Sequence, residues 1–155
     1  MEMPQPTEAH KRLELFAGNW VGTDTMHPSP WAPEGSTAEG RSNIRMALGG
    51  YAAIGDYEQS RDGKTTFTGH SVYGYDPKQD CYVLTWFDCM AGAAEIFRGN
   101  FEGDVLTMSS ETGDGRTSRF IADYSEPGVV RTKMEMSEDG ENWKPLMDSE
   151  YRRQD

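Results

Sequence analysis

The residues of this chain best suited to chemistry lie close together: Tyr73, Trp86 and Asp88, with Glu95 just beyond them. A carboxyl group held beside a tyrosine out of water can trade protons with a substrate, because burial raises its pKa toward neutrality. The same groups can instead anchor the polar end of an otherwise apolar molecule. A plainer reading competes with both. A carboxylate inside a fold must be paired or protonated, and one at the end of a strand is ordinarily solvated at the rim. Met108 and Met134 share strand parity with Met46 and Met136. Thioether chains adapt to irregular shapes, so they fit a pliable ligand wall as well as ordinary core filling.

Other chemistries lack their residues. The histidines are His10, His27 and His70, with no HxH or HxxxH pair. Cys81 and Cys89 stand eight apart, which is not a zinc spacing, so neither a metal nor a cofactor is expected. On one strand those cysteines are separated by roughly 27 Å, beyond disulfide reach, and are read as free thiols. Free thiols and the lack of an apolar leader-like stretch point to the cytoplasm. Ser71 and His70 are strand neighbours facing opposite ways, so they do not assemble a triad with Asp88. The net charge of −11 and pI of about 4.7 argue against nucleic acid and anionic membranes as partners.

The elements that must position these residues are strands. Lys64 to Asp88 reads as one long hairpin around Asp76-Pro77-Lys78-Gln79-Asp80, where proline presets φ and the aspartate binds the turn backbone. If Tyr75 pairs with Tyr82, then Phe67, Ser71, Tyr73 and Tyr75 share an inward face with Tyr82, Leu84, Trp86 and Asp88. Glu95 shares parity with Phe97 and Phe101 and points the same way, which leaves Arg98 outside. The pattern repeats along the chain: strands over 19–27, 41–48, 51–60, 94–101, 105–111, 116–124, 129–137 and 142–153, the last broken at Pro145. Turns such as Arg61-Asp62-Gly63-Lys64 join them. A single helix from Thr7 to Gly18, with Ala9, Leu13 and Phe16 on one stripe, should plug one end. The proline-rich 28–37 loop, with Trp31 at its middle, reads as a lid, a plain surface loop or a subunit contact.

About ten strands joined by hairpins, with no helix between them, must close or leave exposed edges. The expectation is an all-β, ten-stranded antiparallel up-and-down barrel over 7–153, a short N-terminal helix, a flexible 1–6, and an interior cavity.

Gly18-Asn19-Trp20-Val21-Gly22 after a short helix resembles the Gly-x-Trp opening of lipocalin-like (calycin) barrels. Leu48-Gly49-Gly50, Gly74-Tyr75-Asp76, Tyr82-Val83, Trp86-Phe87-Asp88 and Asp139-Gly140 with Trp143 together resemble the bacterial family named domain of unknown function 1579. The resemblance runs from about Thr7 to Arg153. It implies a calycin-like barrel and no particular activity. In calycins the opening tryptophan packs on an arginine of the last strand, which implies Trp20 against Arg152 or Arg153. Haem-holding barrels of the nitrobindin type are similar in their opening, but they ligate iron through a late histidine, and nothing from Gly74 onward supplies one.

Three functions follow as expectations. The first is a barrel that binds a small, mostly apolar molecule, with Trp86, Tyr73, Met108 and Met134 as walls and Asp88 or Glu95 as the polar anchor. The second is an enzyme using an interior carboxylate and tyrosine as its acid–base pair. The third is a ligand-free homodimeric module, favoured if Phe87, Ile96 and Trp31 cluster outside.

Overall fold

A computed structural model describes residues 1–30, 32–90, 92–111 and 115–154 of the chain. Trp31, in the loop read as a lid, lies outside the described residues, as do positions 112–114 between the strands read over 105–111 and 116–124. The elements are a helix α1 (Glu8–Lys11), 3₁₀ turns at Arg12–Leu15 and Leu48–Gly50, and ten strands. These are β1 (Gly18–Met26), β2 (Ser36–Ala47), β3 (Ala52–Arg61), β4 (Lys64–Asp76), β5 (Cys81–Asp88), β6 (Glu95–Glu102), β7 (Val105–Glu111), β8 (Thr117–Asp123), β9 (Val129–Ser137) and β10 (Trp143–Gln154). Each strand pairs antiparallel with its chain neighbours, and β1 pairs with β10, so the sheet closes into a barrel.

The local chemistry explains the hairpins. Asp62 and Gly63 both take positive φ (51° and 76°), which matches the twist of a tight hairpin between β3 and β4. Asp76 Oδ1 accepts from the Lys78 and Gln79 backbone N–H groups at 2.9 and 3.3 Å, fixing the β4–β5 turn. Tyr75 pairs with Tyr82 and Ser71 with Trp86, the register anticipated above. A side-chain period of two then carries one inward set around the wall. Trp20, Gly22 and Asp24 on β1 face inward with Tyr57 and Gln59 on β3, Trp86 and Asp88 on β5, Glu95 on β6, Met134 on β9, and Ser149 and Tyr151 on β10. β10 shifts register between Pro145 and Met147, at the predicted break.

Some boundaries differ from expectation. The N-terminal helix is one α turn tightened into a 3₁₀ turn, because the chain must swing into β1 through Gly18 at φ 141°. β2 begins at Ser36 rather than near Arg41: Gly40, which looks like a turn residue, lies inside the strand. It faces the lumen, and a Cβ there would overlap Tyr151 Oη and crowd the Asp24 carboxylate. Trp143 is not in the core. It pairs with Ser137 on the outward parity and stacks under Arg119, whose guanidinium lies 3.8 Å from the ring centre. Cys81 and Cys89 are free thiols at opposite ends of β5.

The helical segment seals one end of the barrel. Leu13 and Phe16 are fully buried, and Phe16 stacks on Tyr73 with centroids 4.3 Å apart. Trp20 donates its indole N–H to Phe16 O at 3.0 Å. Arg153 lies 4.6 Å from the Trp20 ring centre and donates to Leu15 O at 3.2 Å, so of the two arginines the contact goes to Arg153. Leu84, Phe97, Leu106, Met108 and Ala122 complete this packed half.

Removing the plug should cost what a large core truncation costs. Phe16→Ala is expected to lower unfolding stability by about 3–5 kcal/mol. Arg153→Ala, losing a cation–π contact and one hydrogen bond, should lower it by about 1–2 kcal/mol. Urea unfolding curves at matched slope check both.

Candidate functional site

The half of the barrel away from the plug carries the polar interior. Asp24 is completely buried, at the inward face of β1, and no cation pairs with it among the described residues. Four neutral donors surround it instead. Its Oδ1 accepts from Ser149 Oγ at 2.6 Å and Tyr151 Oη at 2.5 Å; its Oδ2 accepts from Gln59 Nε2 at 3.1 Å and from Tyr57 Oη. An ionised carboxylate offers about four lone-pair sites. Two donors on each oxygen fill them, which offsets the cost of burying the charge.

Strand parity makes this possible. Asp24 is two residues from Gly22, and Gly22 opposes Gly40 on β2 and Tyr151 on β10. Gly40 leaves room for the Tyr151 phenol, so Tyr57 and Gln59 reach Asp24 across β2 from β3. Burial, then the Asp24 charge, pushes the phenols of Tyr57 and Tyr151 well above their ordinary range. Burial alone raises Tyr73 to about 12.

A second polar group sits nearer the rim. Trp86 donates its indole N–H to Asp88 Oδ2 at 2.8 Å, and Asp88 Oδ1 accepts from Met90 N at 2.9 Å. Glu95 is the cross-strand partner of Trp86. Burial, then the Asp88 charge, raises the pKa of Glu95. The Trp86 indole lies over Gly69, where a Cβ would overlap it, and its ring is 5.8 Å from that of Tyr57. The two polar groups are therefore joined by an aromatic bridge.

Of the residues singled out from the sequence, Trp86, Asp88 and Glu95 come together. Met134 is half-buried on the same side, opposite Phe120 and Met147. Tyr73 and Met108 belong to the packed half, with Tyr73 against Phe16 rather than beside Asp88. His70 faces outward and bonds Asp56 at 2.8 Å. Arg98 also faces outward, 3.8 Å from Asp76. Asp24, Tyr57, Gln59, Ser149 and Tyr151 were missed. Their signal was parity: Asp24 alternates in step with Trp20, and Tyr151 with Arg153. A groove of about 620 Å³ lined by Val21, Thr23, Thr37, Glu39, Ser60 and Arg61 lies on the outer wall and takes no part in this site. Among the described residues no group of three or more His, Cys, Asp or Glu side chains could hold a metal ion, and no helix is long and apolar enough to cross a membrane.

The Asp24 knot sets two expectations. Asp24→Asn turns an acceptor into a donor facing donors, and should cost about 2–4 kcal/mol in urea unfolding. Phenols whose folded pKa is raised stabilise the fold fully below the unfolded value of about 10, and that stability is lost as pH climbs toward the folded value. Stability should therefore fall steeply above pH about 10, and Tyr57→Phe or Tyr151→Phe should flatten the fall. Absorbance titration of tyrosinate, run beside circular dichroism, measures both.

No curated protein matches this chain. Among solved structures it is similar to the crystal structure of Rv2717c from M. tuberculosis, with a TM-score of 0.68 and 15% identity, over 96% of this chain and 99% of that one. At that identity the likeness concerns the fold. The family described as Protein of unknown function (DUF1579) has a model that matches residues 5–153, and the chain belongs to that family.

Proposed function

We propose that the protein binds a small, mostly apolar molecule in the unplugged half of the barrel. The observation that carries this is a group of inward-facing rings and thioethers, away from the plug, that stay half-buried. In the plugged half, Leu84, Phe97, Leu106 and Met108 are buried. Toward the mouth, the inward Tyr57, Phe67, Trp86, Phe120, Met134 and Met147 are only half-buried, so solvent reaches rings and thioethers inside the wall. Apolar surface kept wet inside a rigid wall favours an apolar occupant, since covering it removes that surface from water. Trp86, Phe67 and Met134 form the walls, while Asp88 and Glu95 form a polar edge.

The acid–base alternative finds its carboxylate–tyrosine contact at Asp24, but there every lone-pair site is already taken. Asp24 has no free site to receive a proton from a substrate without losing one of its donors. Its geometry fits a fixed support for Tyr57 and Gln59 better than a base.

The neutral apolar dye N-phenyl-1-naphthylamine tests the binding reading. Its fluorescence should rise on mixing with the protein and quench Trp86 emission in return. Trp86→Ala and Met134→Lys should each weaken that binding by about tenfold or more, in line with about 1.5–3 kcal/mol for one large apolar contact. Leu48→Ser, on the exposed surface, should leave it unchanged. A dye response equal in all four proteins would overturn the assignment.

A further inference from the structure

We infer that the inward hydroxyls of Ser110 and Ser118 are the polar subsite for the bound molecule, and that they take a neutral oxygen, a carbonyl or a hydroxyl, on an otherwise apolar body. This rests on the binding reading just given and adds the head group it leaves unnamed. The two serines are 5% and 4% exposed and sit directly opposite one another on β7 and β8. Side chains alternate along a strand, so they face inward in step with Met108 and Phe120. Directly opposed residues of an antiparallel pair hold their Cβ atoms about 4.5–5.5 Å apart. Two hydroxyls at that spacing can both reach a single oxygen lying between them.

These hydroxyls stand apart from the other buried polar groups. His10 accepts from the Thr7 N–H, and Asp24 accepts from Gln59 and Ser149. Ser71 reaches Gly55 O at 3.5 Å, and Ser137 accepts from the Gly140 N–H at 2.8 Å. Among the described residues, Ser110 and Ser118 are the members of that buried set whose side chains make no hydrogen bond. A hydroxyl taken out of water without a partner costs stability, so a native fold keeps one where something else meets it. Neither hydroxyl is sealed off. The fully enclosed side-chain atoms without a partner, among the described residues, are the Tyr51 hydroxyl and Arg119 Nε. The serine pair is therefore buried yet open to the lumen it faces.

The surroundings set the class of head group. Met108, fully buried, lies two residues before Ser110, and Phe120 two beyond Ser118. Met136 is the partner of Ser118 across the β8–β9 pair. Phe120 in turn opposes Met134, a wall of the binding site, so the subsite adjoins the space for the apolar body. A hydroxyl both donates and accepts, so the pair serves a ketone, an ester or an alcohol alike. A full charge asks for more. Asp24 is held in this interior by four donors, whereas a charged head set among these thioethers and rings would have two hydroxyls. Arg116, nearer the rim, is exposed and already engaged.

Displacement of N-phenyl-1-naphthylamine from the full chain by 4-phenyl-2-butanone, 3-phenylpropanoate, 3-phenylpropylamine and butylbenzene compares the heads on one kind of body. The ketone is expected to bind at least about fivefold tighter than the carboxylate and the amine. Ser110→Ala combined with Ser118→Ala should weaken the ketone by about fivefold more than it weakens butylbenzene, which has no polar atom. Removing a hydroxyl that supports the fold lowers the urea midpoint, whereas removing an unpartnered one leaves it level or raises it. The double variant is therefore expected to unfold at a midpoint no lower than that of the parent chain. A ketone-to-butylbenzene ratio unmoved by the double variant means that the hydroxyls hold water only, and overturns the inference. So does a charged analogue that binds as tightly as the ketone, or a lowered urea midpoint. Failure of the ketone while the dye still binds overturns the subsite alone. Failure of all four and of the dye overturns the binding reading with it.

Discussion

One buried charge holds the seam of this barrel. β1 and β10 meet where the sheet closes, and Asp24 on β1 takes Ser149 and Tyr151 from β10 as donors. On its other side it takes Tyr57 and Gln59 from β3, across β2. A carboxylate buried without a cation is tolerable only when its lone pairs are all used. Saturating it therefore dictates the inward residues of three strands and requires a glycine, Gly40, on the strand between them. At the far end of the same seam, Arg153 of β10 lies against Trp20 of β1 and hydrogen-bonds the chain just ahead of it. The closure is thus fastened at both ends, by a hydrogen-bonded anion toward the mouth and a cation–π contact beneath the plug.

This arrangement also decides the polarity of the interior. The phenols of Tyr57 and Tyr151, the Ser149 hydroxyl and the Gln59 amide are turned toward Asp24, and the Trp86 indole N–H toward Asp88. The aromatic residues divide along the same axis. Phe16 against Tyr73, and Tyr82 against Phe101, are spent on sealing one end. Trp86 and Tyr57 are left toward the other, where the wall is wet. The barrel is therefore asymmetric along its length: packed and apolar at the helix, amphipathic at the mouth.

Much of the fold was legible because period-two alternation and aspartate–glycine turns are local signals. The pairing of Tyr75 with Tyr82, the break at Pro145, the inward Glu95 and the outward Arg98 all follow from parity once one turn is placed. The Trp20–Arg153 contact came from the resemblance to calycins rather than from spacing. The site was legible only in part. Trp86, Asp88 and Glu95 lie within one stretch of chain, so hairpin reasoning could bring them together. Asp24 and Tyr151 are 127 positions apart, and only closure makes them neighbours. Tyr73 looked like part of the site because parity says which way a side chain faces, not how deep along the barrel it lies. The register shift between Pro145 and Met147 puts Trp143 on the outward parity, although an even count from the inward Tyr151 would turn it inward.

The pairing of the first strand with the last has a kinetic consequence. Nine of the ten strand pairs join neighbours in sequence and can zip up locally as hairpins; the tenth spans nearly the whole chain. Loop-closure entropy makes that contact the costliest to find, because the cost falls due before any contact across the seam between β1 and β10 rewards it. Until the edges meet, the Asp24 carboxylate remains hydrated and its donors on β10 are elsewhere. The step that ends the search is also the step that dehydrates the charge, and it rejects a misregistered seam: a slip of one residue would turn Asp24 away from Ser149 and Tyr151.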